Sequence, residues 1–254
     1  MILQDTHIEA LQKVNVQLSI VIPVYNQEKN VSIALDRIKR VVKSTGLSYE
    51  IIVVDDGSRD GTMNALRSEA THDSNLRIVS YSQNMGKGYA VKLGITSSHG
   101  DIVIFTDGDL DISPHMITEY IEQLQECDLV IASKRHPESR VNAPLSRRFL
   151  SKGFNLFVRI LTGIKLKDTQ SGLKAGNGKA LSDIFRLMLV KRYAFDVELL
   201  ALANLLNFQV KEMPIEINLD RSFKLKDIAR MSVDLLAISY RLKIRKWYQK
   251  RIRH

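Results

Sequence analysis

The chain has 254 residues, 44% of them hydrophobic and 26% charged, which are values typical of a folded globular protein with one large or two small domains. Cys127 is the only cysteine, so the composition excludes an internal disulfide and a cysteine-rich metal site, and it favours a reducing compartment. The net charge of +9 favours an acidic partner: a nucleic acid, an anionic membrane surface or a phosphorylated substrate.

Segments of strand and helix character alternate through the first part of the chain. Residues 1–17 predict a short amphipathic helix, and apolar runs of strand length follow at 18–24, 49–54, 76–81 and 101–105. Apolar residues at helical spacing follow each of the first three runs. This alternation predicts an α/β fold, in which helices cover both faces of a mostly parallel, Rossmann-like sheet.

The pattern is less regular further on. We predict a strand at 128–133, a loop at 140–146, a helix at 147–161 and two short strands within 209–218. Neither a signal-peptide pattern nor a run of about 18 apolar residues occurs, so we expect no segment that spans a bilayer.

A polar cluster directly follows each of the first four predicted strands. In α/β sheets, ligands bind beyond the carboxyl ends of the parallel strands. We therefore expect the ligand site at this edge of the sheet. The clusters are Tyr25 to Gln27, Asp55 to Ser58, Asn84 to Gly88 and Asp107 to Asp111.

The cluster after the fourth strand predicts a metal site. Asp107, Asp109 and Asp111 alternate, so an extended backbone points their carboxylates to one side. Such oxygens suit Mg²⁺ or Mn²⁺ shared with a substrate diphosphate, and Gly108 leaves room for a ligand to approach the backbone. The alternative is an acidic turn in which Asp111 or Ser113 caps the next helix.

The segment Asn84-Met-Gly-Lys-Gly88 predicts a phosphate-binding turn, because two glycines precede a helix N-terminus and Lys87 lies between them. The chain lacks the Gly-x-x-x-x-Gly-Lys-Ser/Thr pattern, which disfavours a simple nucleoside triphosphatase. An ordinary solvated lysine is the alternative for Lys87.

Four motifs in this order and spacing resemble the family 2 inverting glycosyltransferases of GT-A fold. They are Ile22-Pro-Val-Tyr-Asn26, Val53-Val-Asp-Asp-Gly-Ser58 with Asp60-Gly61-Thr62, Asn84-x-Gly-Lys-Gly88 and Asp107-Gly-Asp109. Further on, Asp168-Thr-Gln-Ser-Gly-Leu-Lys174 and the segment from Phe195 to Leu200 resemble the polyprenyl-phosphate branch, the dolichyl-phosphate glucosyl- and mannosyltransferases. The likeness covers about residues 18–226, between the predicted helix at 1–17 and a basic amphipathic helix predicted at 227–254.

The resemblance implies that a hexose moves from a nucleotide sugar to a polyprenyl or dolichyl phosphate, with UDP-glucose favoured over GDP-mannose. Pro23 and Tyr25 would lie along the nucleotide base, and Asp55 would bind it. Asp107, Asp109 and Asp111 would hold the metal and the diphosphate. The whole set of implied donor residues is Pro23, Tyr25, Gln27, Asp55, Lys87 and Gly108.

The resemblance also implies an acceptor site and a set of catalytic residues. Lys134, Arg147 and Ser151 match the positions around the acceptor phosphate, and Arg221 and Lys224 match a basic loop that closes over the diphosphate. A phosphate monoester is largely ionised at neutral pH, so it needs no strong general base. Asp196 is either a weak site candidate or an acid that suits a helix N-terminus. The implied catalytic residues are Asp107, Asp109, Arg221 and Lys224.

The last segment of the chain is predicted to be helical. Apolar residues that should pack on the domain recur at Ile228, Met231, Leu235, Ile238 and Leu242. Beyond them, a second apolar face predicts peripheral membrane binding, with basic residues opposite. A solvated tail is the alternative. The second face comprises Ile244, Trp247, Tyr248 and Ile252.

Other functions stay open at this stage. A nucleotidyltransferase would normally carry a basic, glycine-rich loop where this chain has Pro23-Val-Tyr-Asn. A nucleic-acid-binding protein would spread basic and aromatic residues over one face, so we expect no nucleic-acid partner. A glycosyltransferase with another glycan or lipid acceptor is a further alternative. We expect a cytoplasmic protein that binds peripherally to the cytoplasmic face of a membrane.

Overall fold

The structure is a computed structural model that describes residues 15–106, 116–142, 144–169, 172–192, 194–218 and 225–252. Its strands are β1 (Leu18–Val24), β2 (Tyr49–Asp55), β3 (Leu76–Ser80), β4 (Ile102–Phe105), β5 (Leu129–Ala132), β6 (Arg140–Asn142), β7 (Lys174–Asn177), β8 (Val210–Met213) and β9 (Glu216–Asn218). Its helices are α1 (Val31–Ser44), α2 (Thr62–Thr71), α3 (Lys87–Thr96), α4 (Met116–Gln123), α5 (Leu145–Thr162), α6 (Gly178–Leu187), α7 (Phe195–Leu205), α8 (Leu225–Ser239) and α9 (Trp247–Ile252), with a π-helical turn at Tyr240–Ile244.

Most of the strands form one sheet. Among the described residues its strand order is β3-β2-β1-β4-β7-β5-β8. β7 runs antiparallel to both neighbours, whereas the other pairs in this sheet are parallel. β6 and β9 form a separate parallel pair. The predicted mostly parallel α/β sheet is therefore confirmed.

Both faces of the sheet are covered, which explains why its strands are apolar almost throughout. Ile20 and Ile22 point to the face that packs against α1, α2 and α4. Val21, between them, points to the other face, which packs against α3 and α5 to α9. Alternate residues of the same strands therefore belong to the two different cores. Burying one such side chain stabilises the fold by about 2 kcal/mol.

Several local predictions differ from the structure. Residues 140–146, predicted as a loop, contain the short strand β6, and β7 was not predicted. The two strands predicted within 209–218 are confirmed, although β8 joins the main sheet and β9 pairs with β6. Residues 15–17, predicted as the end of a helix, are not helical, and residues 1–14 lie outside the described part of the chain.

The C-terminal segment is not one continuous helix. After α8 and the π-helical turn, Lys246 adopts a left-handed backbone (φ 47°), and α9 begins at the next residue. Met231, Leu235 and Ile238 are buried as predicted. Tyr248, predicted to share an exposed face with Ile244, is fully buried instead, because the left-handed turn folds α9 back onto the protein. No helix in the described ranges has the length and apolar character needed to cross a membrane.

A buried carboxylate lies at the amino-terminal edge of the sheet, away from the predicted ligand site. Glu50, at the start of β2, accepts hydrogen bonds from the Ser19 hydroxyl (2.7 Å), the His99 amide (2.7 Å) and the Arg77 guanidinium. Burial raises the pKa of Glu50, but these three donors outweigh burial and hold the pKa below its ordinary value of 4.5. The cluster joins β1, β2, β3 and the segment before β4.

Glu50→Gln should lower the free energy of unfolding by about 1–2 kcal/mol at pH 7, because a neutral amide accepts these hydrogen bonds less strongly. Since the pKa is lowered in the folded state, the extra stability of the wild type is complete above pH 4.5 and is lost as the pH falls through the folded-state pKa. Urea melts should therefore give converging stabilities for the two proteins as the pH falls below 4.5. An equal difference at every pH would contradict this reading of Glu50.

Candidate active site

The turns after β1 and β2 lie side by side at the carboxyl-terminal edge of the sheet. Val24 pairs in register with Asp55, so Tyr25 and Asp55 begin neighbouring turns. Asp55 is buried, whereas the Tyr25 side chain is 41% exposed. Pro23 is half-buried one residue before the end of β1. The edge thus presents an exposed aromatic ring next to a buried carboxylate.

Hydrogen bonds join these two turns. Asp55 Oδ1 accepts from the Ser58 amide (3.1 Å) and from the Ser58 hydroxyl, whose oxygen in turn accepts from the Asn26 amide (2.9 Å). The Gln27 amide donates to the Thr62 hydroxyl (2.8 Å). Ser58 and Thr62 therefore hold the turn that presents Tyr25, and Gln27 lies at its end with its side chain half-buried.

Asp56 organises the loop before α3. Its carboxylate accepts hydrogen bonds from the Tyr81 hydroxyl (2.8 Å), the Asn84 side-chain amide (3.0 Å), and the backbone amides of Met85 (2.7 Å) and Gly86 (3.0 and 3.1 Å). Burial and then Asp56 raise the pKa of Tyr81, which keeps that hydroxyl a donor. Reasoning from sequence did not single out Asp56, although its place beside Asp55 in the motif was visible.

The predicted phosphate-binding turn is tightly packed. Gly86 has φ +100°, and a Cβ there would lie 2.7 Å from the Lys191 carbonyl oxygen. A Cβ on Gly88 would lie 2.7 Å from Phe195 Cβ. At Gly86, only glycine tolerates both the positive φ and the close Lys191 carbonyl. Lys87 starts α3 with its Nζ 5.9 Å from the centre of the Phe195 ring, so the lysine lies at the ligand edge.

The predicted metal ligands follow β4. Thr106, the residue after that strand, is buried and donates its amide to the Val21 carbonyl (3.2 Å), which places the start of the motif at the same edge as Tyr25. Asp107, Gly108, Asp109 and Asp111 lie outside the described residues. Within the described ranges, no group of three or more His, Cys, Asp or Glu side chains could hold a metal ion.

A second group of residues lies where the acceptor was predicted. Asp168 Oδ2 accepts from both the backbone amide (2.9 Å) and the Nζ (2.7 Å) of Lys134. Arg135 donates to the Ser151 carbonyl (2.9 Å) and so ties the β5 end to α5. The structure therefore brings Lys134 and Ser151 to one side of the site. Arg147 lies on α5, and its side chain is outside the described part.

A buried ion pair lies between the residues predicted to bind the donor and those predicted to bind the acceptor. Lys174 Nζ is 2.7 Å from Asp196 Oδ1 and 5.6 Å from the centre of the Phe105 ring, and both charged groups are buried. Lys174 pairs in register with Phe105 on β4 and Ile131 on β5. Asp196 is thus more than an acid at a helix start, and Lys174 was missed because its partner is remote in sequence.

Apart from Arg147, of which only the backbone is described, the predicted site residues fall into two groups. Those that the structure places along the ligand edge are Pro23, Tyr25, Gln27, Asp55, Lys87, Lys134 and Ser151. Besides the metal motif, Arg221 and Lys224 lie outside the described residues, so their roles stay predictions.

Known proteins share both the sequence and the fold. Residues 19–185 match the family described as Glycosyl transferase family 2. The dolichyl-phosphate beta-glucosyltransferase of Dictyostelium discoideum is 32% identical over 251 residues, which cover 92% of this chain and 77% of that protein. The Homo sapiens enzyme of the same name is 32% identical over 252 residues, covering 91% and 77%.

The fold is also that of a solved structure. Glucosyl-3-phosphoglycerate synthase from Mycobacterium tuberculosis, in complex with Mn²⁺, uridine diphosphate and phosphoglyceric acid, superposes with a TM-score of 0.67 at 23% identity. The match covers 90% of this chain and 78% of that chain. The predicted GT-A fold is therefore confirmed. Since the family profile and these relatives extend over most of the chain, the protein belongs to glycosyltransferase family 2 and is a glycosyltransferase.

Proposed function

We propose that this glycosyltransferase moves glucose from UDP-glucose to dolichyl phosphate or another polyprenyl phosphate, with inversion at the anomeric carbon. The observation that carries the proposal is the extent of the likeness. Relatives named dolichyl-phosphate beta-glucosyltransferase align with 91–92% of the chain. The aligned part therefore includes both the donor edge, which is the ligand edge around Tyr25 and Asp55, and the acceptor side around Lys134.

The donor edge suits a uracil base. Tyr25 offers an exposed ring on which a base can stack. In the described part of the chain, both hydrogen bonds to Asp55 go to Oδ1, which leaves Oδ2 as a single acceptor. One acceptor fits the lone imide N–H of uracil better than the paired N–H groups of guanine. This supports UDP-glucose over GDP-mannose.

The metal and the cations would act on the diphosphate. Asp107, Asp109 and Asp111 form an all-oxygen donor set that suits Mn²⁺ or Mg²⁺. The ion would neutralise charge on the departing nucleoside diphosphate. Lys87, Arg221 and Lys224 would add positive charge around the same group, where it is worth most as the sugar–phosphate bond breaks.

The acceptor brings its own nucleophile, because a phosphate monoester carries nearly two negative charges at neutral pH. The chain must then hold that oxygen in line with the bond that breaks. Lys134, oriented by Asp168, and Ser151 would bind the phosphate together with Arg147. One displacement, with the phosphate oxygen attacking from the face opposite the diphosphate, inverts the configuration.

An apolar patch offers a surface for the membrane in which such an acceptor resides. Ser239 donates to the Leu161 carbonyl (2.9 Å) and Lys243 to the Ile160 carbonyl (3.3 Å), so α5 lies beside α8 and the π-helical turn. Large apolar side chains on these elements are exposed. The apolar patch comprises Leu156, Phe157, Ile160, Val233, Leu236, Tyr240 and Ile244.

Charge supports the same assignment. Soluble proteins rarely expose as many large apolar groups together as this patch does. Exposed basic residues flank the apolar patch. They are Lys152, Arg159, Lys243, Arg245 and Lys246. Each basic residue near an anionic surface adds about 1 kcal/mol of attraction. We propose that the patch docks peripherally on the cytoplasmic face, and that it replaces the face predicted around Tyr248.

Tyr25→Ala should weaken UDP binding about tenfold, because stacking on an aromatic side chain contributes about 1–3 kcal/mol. Isothermal titration with UDP and Mn²⁺ measures this. Ile33→Ala, which shortens a comparably exposed side chain on α1, should bind as the wild type does. In thermal melts UDP-glucose should stabilise the wild type more than GDP-mannose does. The reverse order would make GDP-mannose the donor.

Asp109→Ala should reduce glucosyl transfer about a hundredfold or more, because the diphosphate would lose its metal-bound charge compensation. Excess chelator should have the same effect on the wild type, reversed by Mn²⁺. The melting temperature should hardly change. Asp36→Ala, which removes an exposed carboxylate from α1, serves as the control. Full turnover with chelator present would exclude the metal role.

Ile160→Ser combined with Ile244→Ser should reduce co-sedimentation with anionic liposomes about tenfold, since each change removes apolar area from the membrane contact. Binding of the wild type should also fall with added salt, through screening. Ile33→Ser changes an exposed isoleucine on the other face of the sheet and should sediment normally. Equal sedimentation of all three proteins would rule out the apolar patch as the docking surface.

A further inference from the structure

Glu198 is a buried carboxylate that the mechanism above does not use. It lies on α7 with 0% of its surface exposed. Its Oε2 accepts from the backbone amides of Leu189 (3.0 Å) and Val190 (2.7 Å). Its Oε1 accepts from the Tyr248 hydroxyl and lies 3.5 Å from an Arg241 nitrogen. One carboxylate thus joins the segment 188–192 to the end of the chain.

The C-terminal segment is seated on this carboxylate. Tyr248 is 0% exposed, and its hydroxyl accepts from Arg241 Nε (2.9 Å) while donating to Glu198. Trp247 packs edge-on against the Tyr248 ring at 5.1 Å. A buried charge is costly without partners. Arg241 and Tyr248 therefore compensate the buried charge of Glu198. These contacts hold the C-terminal segment against α7.

The segment 188–192 also contacts the predicted phosphate-binding turn, Asn84 to Gly88, which is called the glycine turn below. The Lys191 carbonyl accepts from the Tyr89 amide (3.0 Å), and the Met188 carbonyl accepts from Lys92 Nζ (2.8 Å). The Lys191 carbonyl oxygen also lies only 2.7 Å from the position that a Cβ on Gly86 would take. The first turn of α3, which carries Lys87, therefore rests against a segment that Glu198 holds in place.

We propose that Glu198 is a positioning residue for the donor site: it couples the seating of Tyr248 and Arg241 to the placement of the glycine turn. Asp56 fixes that turn from the sheet side, as described above. Segment 188–192 fixes it from the α7 side. Without Glu198 the turn would still fold, but the start of α3 would shift. Donor affinity would therefore fall by more than the loss of folding stability explains. The donor readout rests on the proposed function.

The test compares Glu198→Gln and Tyr248→Phe with Glu50→Gln. Glu50 is a matched control, since it is also a buried carboxylate that accepts from a backbone amide but lies at the opposite edge of the sheet. Hydrogen exchange is measured over residues 85–93 without nucleotide, and UDP-glucose affinity with Mn²⁺ by titration. Both test variants should exchange faster over 85–93 and bind about five- to tenfold more weakly. Glu50→Gln should match the wild type in both.

The outcomes separate this proposal from the donor assignment. Wild-type exchange and affinity in both test variants would overturn the role of Glu198, as would equal losses in Glu50→Gln. If Glu198→Gln does not fold, Tyr248→Phe decides alone, because it removes one hydroxyl and keeps the ring. If the wild type binds no UDP-glucose, the donor assignment fails, and the exchange over 85–93 still decides the coupling.

Discussion

The ligand edge of the sheet, where we propose that the donor binds, depends on the carboxylate of Asp56. A single buried group collects a hydroxyl, a side-chain amide and two backbone amides at 2.7–3.1 Å. Hydrogen bonds to a charged acceptor contribute about 2 kcal/mol each, and their donors would otherwise be left unpaired. This arrangement fixes the path of the chain from Tyr81 to Gly86. As a result, α3 begins at the sheet edge, with Lys87 as its first residue.

Carboxylates also position other groups on the side where we propose that the acceptor binds. Glu212 accepts from the amides of Lys167 (3.1 Å) and Asp168 (2.9 Å), and Asp168 in turn holds Lys134. Such buried pairs are weak evidence for stability, because desolvation offsets much of the attraction. Their value here is direction: Asp168 fixes the Lys134 ammonium at the edge where we propose that the acceptor phosphate binds, so part of the net charge of +9 is positioned in this way.

The sequence was most informative where periodicity and local motifs coincide. β1 to β4 and the turns after them were predicted because apolar runs end at polar clusters. β7 was missed because Lys174-Ala-Gly-Asn177 has no apolar run, and its strand character comes from neighbours on both sides. Lys174, Asp168 and Glu198 have partners 22, 34 and 50 residues away, which no local pattern shows. The face around Tyr248 was misassigned because spacing alone cannot distinguish packing on protein from packing on lipid.

The position of β7 also has a consequence for how the chain reaches its fold. β4 pairs with β1 on one side and with β7 on the other, yet β7 lies some seventy residues after β4 in the chain. As the protein is synthesised, β1 to β4 can associate early, but one edge of β4 has no strand beside it until residues 174–177 emerge. Open strand edges pair readily with other chains, and non-local pairing is slow. We therefore expect nascent chains that end between β4 and β7 to be the ones most in need of chaperones.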